Sequence, residues 1–166
     1  MKKRFALLLC LLCLTGCRWT MHSGLPEHIR TVEIESFRNM TFDPGLDAKL
    51  TVMLKKMAME DPQVRLVNEG GDARLSGRIL SVTRRSQRLG RDDRPLDMMI
   101  EIVVEYTFFD EVEQRYLTAL RRISSRQANS LAGLYRTNDP EGESKALDDA
   151  LEALAREVIR GSIGMW

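Results

Sequence analysis

The stretch MMIEIVVEYTF, residues 98–108, decides the fold. Apolar side chains occupy every second position from Met98 to Phe108, and two acidic residues, Glu101 and Glu105, lie between them. Because successive side chains of a β-strand point to opposite faces, this run predicts a long strand with one buried face. We expect Glu101 and Glu105 to form a solvated face opposite arginines of a neighbouring strand.

Further strands are predicted on both sides of this run. Residues 73–82 alternate in the same way, with a slip in parity at Ile79 and Leu80 that predicts a β-bulge. A turn at 110–114 leads into a returning strand over 116–127, so the three long strands should form an antiparallel meander. Two shorter strands are predicted at 31–37 and 64–67, and a loop at 128–138.

Two amphipathic helices complete the predicted order β-α-β-β-β-β-α. Their apolar stripes recur at helical spacing over residues 46–57 and 147–158. The simplest packing is α+β: a two-layer sandwich with both helices on one face of a mostly antiparallel sheet of four to five strands. If the first two strands are parallel neighbours, the helix between them should cross over in the right-handed sense.

The ends of both helices carry local signals. Asp43-Pro44 precedes the first stripe and Asp139-Pro140 precedes the second, which predicts an acidic cap followed by proline in the first turn. Gly161 follows the last apolar position of the second stripe, and we expect it to end that helix.

Residues 1–16 have the order of a lipoprotein signal peptide: a basic head, ten apolar residues and small residues before a cysteine. The apolar run is half of the roughly 20 residues needed to span a bilayer. The sequence Leu-Thr-Gly-Cys ending at Cys17 resembles a lipobox, so we expect a diacylglycerol and an N-acyl chain such as palmitate on Cys17. The alternative is an ordinary signal peptide with a chance cysteine. The prediction is an acylated tether at 17–29 and a single domain at 30–166.

The composition argues against several functional classes. Loss of the signal peptide would leave 22 basic and 24 acidic residues, a net charge of −2 that does not suit a nucleic-acid binder. The two histidines, His22 and His28, fall in the expected tether and are predicted to lie on the surface. We find no triad, no phosphate loop and no metal-ligand spacing. The sequence therefore predicts neither an enzyme nor a metal site, and no cofactor besides the acyl chains on Cys17.

Residues 84–94, RRSQRLGRDDR, carry five arginines and two aspartates in the expected turn between two long strands. A guanidinium group matches the geometry of phosphate, so Arg84, Arg85, Arg88 and Arg91 are candidates to contact a phosphate-bearing ligand such as a glycolipid head group. The alternative is a solvated turn with cross-strand ion pairs to Glu101, Glu105 and Glu111. A second set of arginines lies along the returning strand: Arg115, Arg121, Arg122 and Arg126.

Four stretches resemble the LptE family of lipopolysaccharide-assembly lipoproteins: CRW at 17–19, LPEHIRTV at 25–32, FRNMTFDPGL at 37–46 and DARLSGRILSV at 72–82. Members of the family look like Cys-Gly-Tyr, then Leu-Pro-x-x-Ile-x-Thr-Ile-x-Val-x-x-Phe-x-Asn-x-Thr, a helix and an Ala-Asp-Ala-x-Leu-x-Gly-x-Ile strand. This chain departs from the pattern in having Arg-Trp after Cys17 and no Thr-Gly in the turn at 110–114.

The resemblance implies a non-enzymatic component of lipopolysaccharide transport at the periplasmic face of the outer membrane. Such a lipoprotein plugs and supports an LptD-like β-barrel translocon and contacts lipopolysaccharide through basic side chains. Arg18 agrees with this location, because an aspartate there would retain an enteric lipoprotein in the inner membrane. The other interpretation is a different outer-membrane lipoprotein of the same small fold, either a regulator of cell-wall synthases or a secretion-complex subunit.

Overall fold

A computed structural model describes residues 25–62 and 64–164 of the chain. The signal peptide and Cys17 lie outside these described residues. Within them, seven strands and three helices follow the order β-β-α-β-β-β-β-α-β-α. Their bounds are β1 Thr31–Ile34, β2 Arg38–Asn39, α1 Leu46–Met59, β3 Arg65–Val67, β4 Ala73–Leu89, β5 Pro95–Asp110, β6 Arg115–Ser124, α2 Ser125–Ala128, β7 Leu134–Arg136 and α3 Gly142–Ser162.

The seven strands form one sheet. Its main order is β3-β1-β4-β5-β6, with β2 paired to β4 and β7 paired to β5. Strands β4, β5 and β6 form the expected antiparallel meander, and β1 lies parallel to both β3 and β4. The α+β class is confirmed. The strand count is higher than expected for two reasons. The strand predicted at 31–37 ends at Ile34 and is followed by a separate short strand, β2, at Arg38–Asn39, and the predicted loop at 128–138 contains β7.

The alternation in residues 98–108 is confirmed by the core. Ile100, Ile102, Val104 and Phe108 are all fully buried, and they share one hydrophobic cluster with residues of α1 and α3. Burial of one such side chain contributes about 1.5–3 kcal/mol. The cluster draws on both helices through Leu46, Leu50, Leu54, Leu151, Leu154 and Val158. Helices α1 and α3 therefore cover one face of the sheet, and we call the opposite face the open face.

The predicted bulge in β4 is confirmed and has a directional consequence. The pairing of β4 with β5 skips Leu80, which is the extra residue. Beyond the bulge, Arg84 lies opposite the buried Ile100 on the helix-covered face, and Arg85 lies opposite Met99 on the open face. Without the extra residue the two arginines would exchange faces, because side chains alternate along a strand.

The expected helix ends are corrected by the structure. Helix α1 is preceded by Gly45 in the left-handed conformation, with φ of 78°, and no side chain caps it, so Asp43 is not its cap. Helix α3 begins at Gly142 and also lacks a side-chain cap; Asp139 instead accepts a hydrogen bond from the backbone amide two residues later. Gly161 lies inside α3, where the hydroxyl of Tyr106 occupies the space that a β-carbon would need.

The returning strand also ends earlier than predicted. Strand β6 stops at Ser124, and residues 125–128 form a short helix that opens with a capping box. The Ser124 hydroxyl accepts from the amide of Gln127 at 3.2 Å, and the Gln127 side chain accepts from the amide of Ser124 at 3.0 Å. These reciprocal bonds satisfy amides that would be unpaired at a helix start.

An aspartate fastens the start of β1 to the rest of the sheet. Asp72 accepts hydrogen bonds from the amides of Arg30 and Thr31 and from the Thr31 hydroxyl, at 2.8–3.0 Å. These bonds, the one from the Arg30 amide above all, lower the pKa of Asp72. Ile29 is buried beside them, so packed structure begins before residue 30.

A second aspartate, Asp110, binds His28, which lies just before β1. Nε2 of His28 lies 2.7 Å from Oδ2 of the fully buried Asp110, so His28 is bound to the end of β5 and is not the free surface residue we expected. Oδ1 of Asp110 accepts from the amides of Val112 and Glu113, both at 2.9 Å. We call His28–Thr31 with Asp72 and Asp110 the N-terminal clasp.

The ionised state of Asp110 should stabilise the fold. Burial alone would raise the pKa of Asp110, but hydrogen bonds from the Glu113 amide, the His28 ring and the Val112 amide together lower it. The pKa of an aspartate in the unfolded chain is about 3.9. A carboxyl with a lower pKa in the folded state stabilises the fold at pH values above the unfolded-state pKa. This stabilisation is lost as pH falls through the lower, folded-state pKa.

We therefore expect wild-type free energy of unfolding, measured with urea, to fall below about pH 5, and the fall to be shallower in Asp110→Asn. Asp93→Asn is the matched control, because Asp93 lies in an exposed turn with φ of 58°, a conformation that asparagine tolerates. Parallel pH curves for the wild type and Asp110→Asn would contradict the role assigned to Asp110.

Candidate functional site

Residues 84–94, which we call the arginine segment, do not lie mainly in a turn. Strand β4 continues to Leu89 and β5 begins at Pro95, so Arg84, Arg85 and Arg88 lie in a strand and only residues 90–94 connect. The connection is closed by a hydrogen bond of 2.8 Å from the Gly90 amide to the Arg94 carbonyl. Our expectation of a long turn is therefore wrong. Strand pairing continues to Leu89 through polar residues, which lack the alternation of apolar and polar side chains that would have predicted a strand.

Arg84 joins β4 to the beginnings of both long helices. Its guanidinium donates to both carboxylate oxygens of Asp43, at 3.1 and 3.2 Å, and to Glu143 at 2.7 Å. The hydrogen bonds to these carboxylates, to Asp43 first and to Glu143 second, raise the pKa of Arg84 above its ordinary value. Asp43 precedes α1 and Glu143 lies in the first turn of α3, so this pairing follows from the placement of Arg84 on the helix-covered face.

The other candidate arginines differ in how they are paired. Nε of Arg88 lies 2.8 Å from Asp97 on the adjacent strand, although 61% of the Arg88 side chain stays exposed. Arg85 and Arg91 are exposed, and neither forms an ion pair with any carboxylate in the part of the chain that the structure describes. The interpretation as cross-strand pairs thus applies to Arg88, while Arg85 and Arg91 keep free guanidinium groups.

Two exposed leucines lie at the end of the β4–β5 hairpin that carries Arg91. Leu89 ends β4 and is 53% exposed; Leu96, near the start of the antiparallel partner strand, is 43% exposed. Solvent exposure of large apolar side chains beside arginines gives this end of the hairpin an amphiphilic surface. Phosphate and hydrocarbon groups of one ligand could both be contacted here.

Of the two glutamates expected to face arginines, only Glu105 does so, and it is buried; Glu101 has Thr83 as its register partner on β4 and forms no ion pair within the described chain. Glu105 is 4% exposed and lies between Arg78 and Arg122, so it does not form the solvated face that we predicted. Arg74 pairs with Glu35 at 3.2 Å and with Glu111. Arginines on both neighbouring strands thus exclude solvent from Glu105 while satisfying its charge.

One group among the described residues offers the ligand types of a metal site: His28, Asp110 and Glu113. Sequence reasoning missed this group, because its members are brought together only by the N-terminal clasp. Asp110 already bonds His28 through one oxygen and two backbone amides through the other. Nδ1 of His28 faces Glu113 at 3.9 Å, so the two ring nitrogens point at different carboxylates. The arrangement satisfies these side chains by mutual pairing.

The partners of Arg84 were also missed from the sequence. Asp43 and Glu143 are 41 and 59 residues away from it along the chain, and no local pattern links them. The available signal was the slip at Ile79 and Leu80, which moves Arg84 to the helix-covered face.

Among the described helices, none combines the length and apolar character needed to cross a bilayer.

The fold is found in solved structures of bacterial proteins. A protein from Xanthomonas campestris aligns with a TM-score of 0.54 and 12% identity, over 79% of this chain and 81% of that one. A hypothetical protein from Chlamydia trachomatis aligns at 0.52 and 11%, over 78% and 93%. Uncharacterized lipoprotein B from Nitrosomonas europaea aligns at 0.52 and 14%, over 83% of both chains. The fold therefore places the protein in a class of small α+β domains that includes bacterial lipoproteins.

The particular family is given by the sequence. The model of the LptE family, described as lipopolysaccharide-assembly, matches residues 29–161, from the buried Ile29 to the end of α3. Because the match spans most of the chain, the protein belongs to the LptE family, and the resemblance inferred from the four stretches is confirmed. No curated protein sequence matches the chain.

The pairing of Arg84 generates a stability prediction. Arg84→Gln removes both ion pairs, and since 35% of this side chain is exposed, we expect a modest loss of about 0.5–1.5 kcal/mol in the free energy of unfolding. Urea unfolding of Arg84→Gln, Asp43→Asn and the double variant should show coupling between the two sites. Arg85→Gln, the neighbour on the open face, should change stability by less than about 0.5 kcal/mol. Equal losses for Arg84→Gln and Arg85→Gln would contradict the assignment.

Proposed function

We propose that this protein is an outer-membrane lipoprotein of lipopolysaccharide transport, which supports and plugs an LptD-like β-barrel translocon and contacts lipopolysaccharide. The observation that carries this proposal is the LptE family match over residues 29–161. The family assignment also agrees with a non-enzymatic role and with the absence of cofactor-binding motifs in the sequence. In this proposal the protein is not bound to nucleic acid, and its lipid is attached covalently at Cys17.

The proposed anchor restricts where the domain can be. Cys17 is eight residues before Leu25, which packs against the core. An extended chain of eight residues spans at most about 29 Å. Acyl chains contribute roughly 0.8 kcal/mol per buried CH₂, and two or more chains give a stable anchor. The N-terminal clasp would thus be held close to the periplasmic surface of the outer membrane, within reach of a barrel in the same membrane.

Lipopolysaccharide contact is proposed for the arginine segment. Arg85 and Arg91 are the primary candidates, because both guanidinium groups are exposed and free of carboxylates within the described chain. Arg88 contributes as a largely exposed cation, whereas Arg84 is engaged with the starts of α1 and α3 and acts structurally. The phosphates of lipopolysaccharide would meet the arginines, and its acyl chains would meet Leu89 and Leu96.

The barrel partner is tested by purification from gently solubilised membranes after crosslinking in whole cells. We expect the wild-type protein to be recovered with a large outer-membrane barrel. A Cys17→Ala variant, which lacks the thiol for acylation, should be recovered with much less of it. Recovery of the wild-type protein as a stable monomer without a barrel would contradict the proposal. Recovery with cell-wall synthases would favour the alternative of a synthase regulator.

The ligand site is tested by lipopolysaccharide binding to the full-length protein in detergent. Because a hydrogen bond to a charged group contributes about 1.5–3 kcal/mol, the double charge reversal Arg85→Glu and Arg91→Glu should weaken binding at least about tenfold. The remaining binding should depend less on salt, since screening acts on exposed charges. Arg65→Glu and Arg156→Glu, with the same change in net charge, should bind like wild type. Unchanged binding by the Arg85/Arg91 variant with an intact fold would reject this site.

A further inference from the structure

A single row of charged residues crosses four strands on the open face. Arg38 of β2 is the register partner of Arg78 of β4, Arg78 is the partner of Glu105 of β5, and Glu105 is the partner of Arg122 of β6. Neighbouring strands are about 4.8 Å apart, so the row is roughly 15 Å wide. It contains three guanidinium groups and one carboxylate.

Both oxygens of the one carboxylate of the row are bonded by two of its arginines. Nε and Nη2 of Arg78 lie 2.8 and 2.6 Å from Oε1 of Glu105, and Nη2 of Arg122 lies 3.2 Å from Oε2. The hydrogen bond from Arg78 lowers the pKa of Glu105 most, and the bond from Arg122 lowers it further. Burial acts in the opposite direction but is outweighed, so the pKa lies below its usual value. Glu105 is therefore ionised at neutral pH, and both of its oxygens are bonded to Arg78 or Arg122 and not to Arg38.

Arg38 is left with an uncompensated charge. It is exposed, and no carboxylate within the described chain pairs with it; Glu35, the nearest acidic residue along the chain, bonds Arg74 instead. Its register neighbour is the cation Arg78, and like charges directly opposite each other on a sheet are destabilising. The row thus has an excess of two positive charges, and Arg38, at one end, is the member that no carboxylate of the described chain pairs with.

A cleft of about 340 Å³ opens at this end of the row. Hydroxyl groups line it beside the two arginines: Ser36, Ser76 and Thr107, of which the last two lie 3.1 Å apart. Met40 and Leu120 add apolar surface and are 63% and 64% exposed. Two carboxylates also line it, Glu35 and Glu105, and both are bonded to arginines, so Arg38 is the lining cation without a carboxylate partner in the described chain. The volume is in the range of small-ligand sites.

We propose that this cleft binds a phosphate group through Arg38 and Arg78, with Ser76 and Thr107 as hydroxyl donors. The guanidinium of Arg38 presents planar pairs of donors that match phosphate oxygens, and Arg78, whose Nε and Nη2 bond Glu105, adds Nη1. An anion between the two arginines would reduce their repulsion. The site lies on β2, β4 and β5, in the body of the sheet, and is separate from the arginine segment. The phosphate could be that of a lipid head group or a free anion, since both have the same chemistry.

The experiment measures thermal unfolding of the full-length protein in detergent with three ligands: inorganic phosphate at constant ionic strength, a short-chain phosphatidic acid, and short-chain phosphatidylcholine as the control without a phosphomonoester. A ligand that binds only the folded state raises Tm, by roughly 3–8 °C near saturation for a domain of this size. We expect phosphatidic acid, inorganic phosphate or both to produce this rise. A response to both assigns the site to phosphate itself, and a response to phosphatidic acid alone assigns it to a lipid head group.

The variants separate this cleft from other cations. Arg38→Gln should lose the rise in Tm, and because Arg38 has no partner to lose, the fold should be as stable as wild type without ligand. Arg65→Gln on the edge strand β3 should keep the rise, as should the Arg85/Arg91 double variant. The proposal is overturned if Arg38→Gln responds like wild type, or if neither phosphate ligand raises the wild-type Tm above its control. It is also overturned if only the Arg85/Arg91 variant loses the response, a result that leaves the function proposed above intact.

Discussion

Strand β5 has one face that packs in the apolar core and one that carries charged side chains, and the rest of the structure depends on this difference. One face, from Ile100 to Phe108, is buried under α1 and α3, while the other presents Glu105 to arginines on both neighbouring strands. Because side chains alternate along a regular strand, shifting β5 by one residue would move Glu101 and Glu105 under the helices, away from the arginines, and turn five core side chains to the open face. Strands β4, β6 and β7 all pair with β5, so their registers follow from its own.

The features with a strong period were predictable from the sequence, and those fixed by distant contacts were not. The run at 98–108, the bulge at Leu80 and the stripes of α1 and α3 all follow from local alternation or helical spacing. Strands β2 and β7 have only two and three residues, and their pairing with β4 and β5 depends on the sheet already being formed. The start of α1 was misplaced because the left-handed Gly45 ends the preceding turn, which the pair Asp43-Pro44 does not reveal.

The candidate site was predictable in composition but not in detail. The five arginines of the arginine segment are plain in the sequence, whereas the division among them is made by one extra residue in β4. The bulge turns Arg84 toward two helix starts and leaves Arg85 on the open face. The row of Arg38, Arg78, Glu105 and Arg122 was invisible for a different reason. Its members come from four strands, and only the parallel register of β2 brings Arg38 beside Arg78.

In the proposed arrangement, with the chain anchored at Cys17, the N-terminal clasp has a mechanical consequence. Strand β1 begins at Thr31, the last residue of the His28–Thr31 segment of the clasp, and runs parallel between β3 and β4, with backbone hydrogen bonds on both sides. A pull on the tether along the strand direction would load these bonds together in shear, so that they could not open one at a time. The bonds from Asp72 and Asp110 to His28–Thr31 would take the force first. An anchored domain built in this way can bear tension at its membrane end while the far end of the β4–β5 hairpin stays undisturbed.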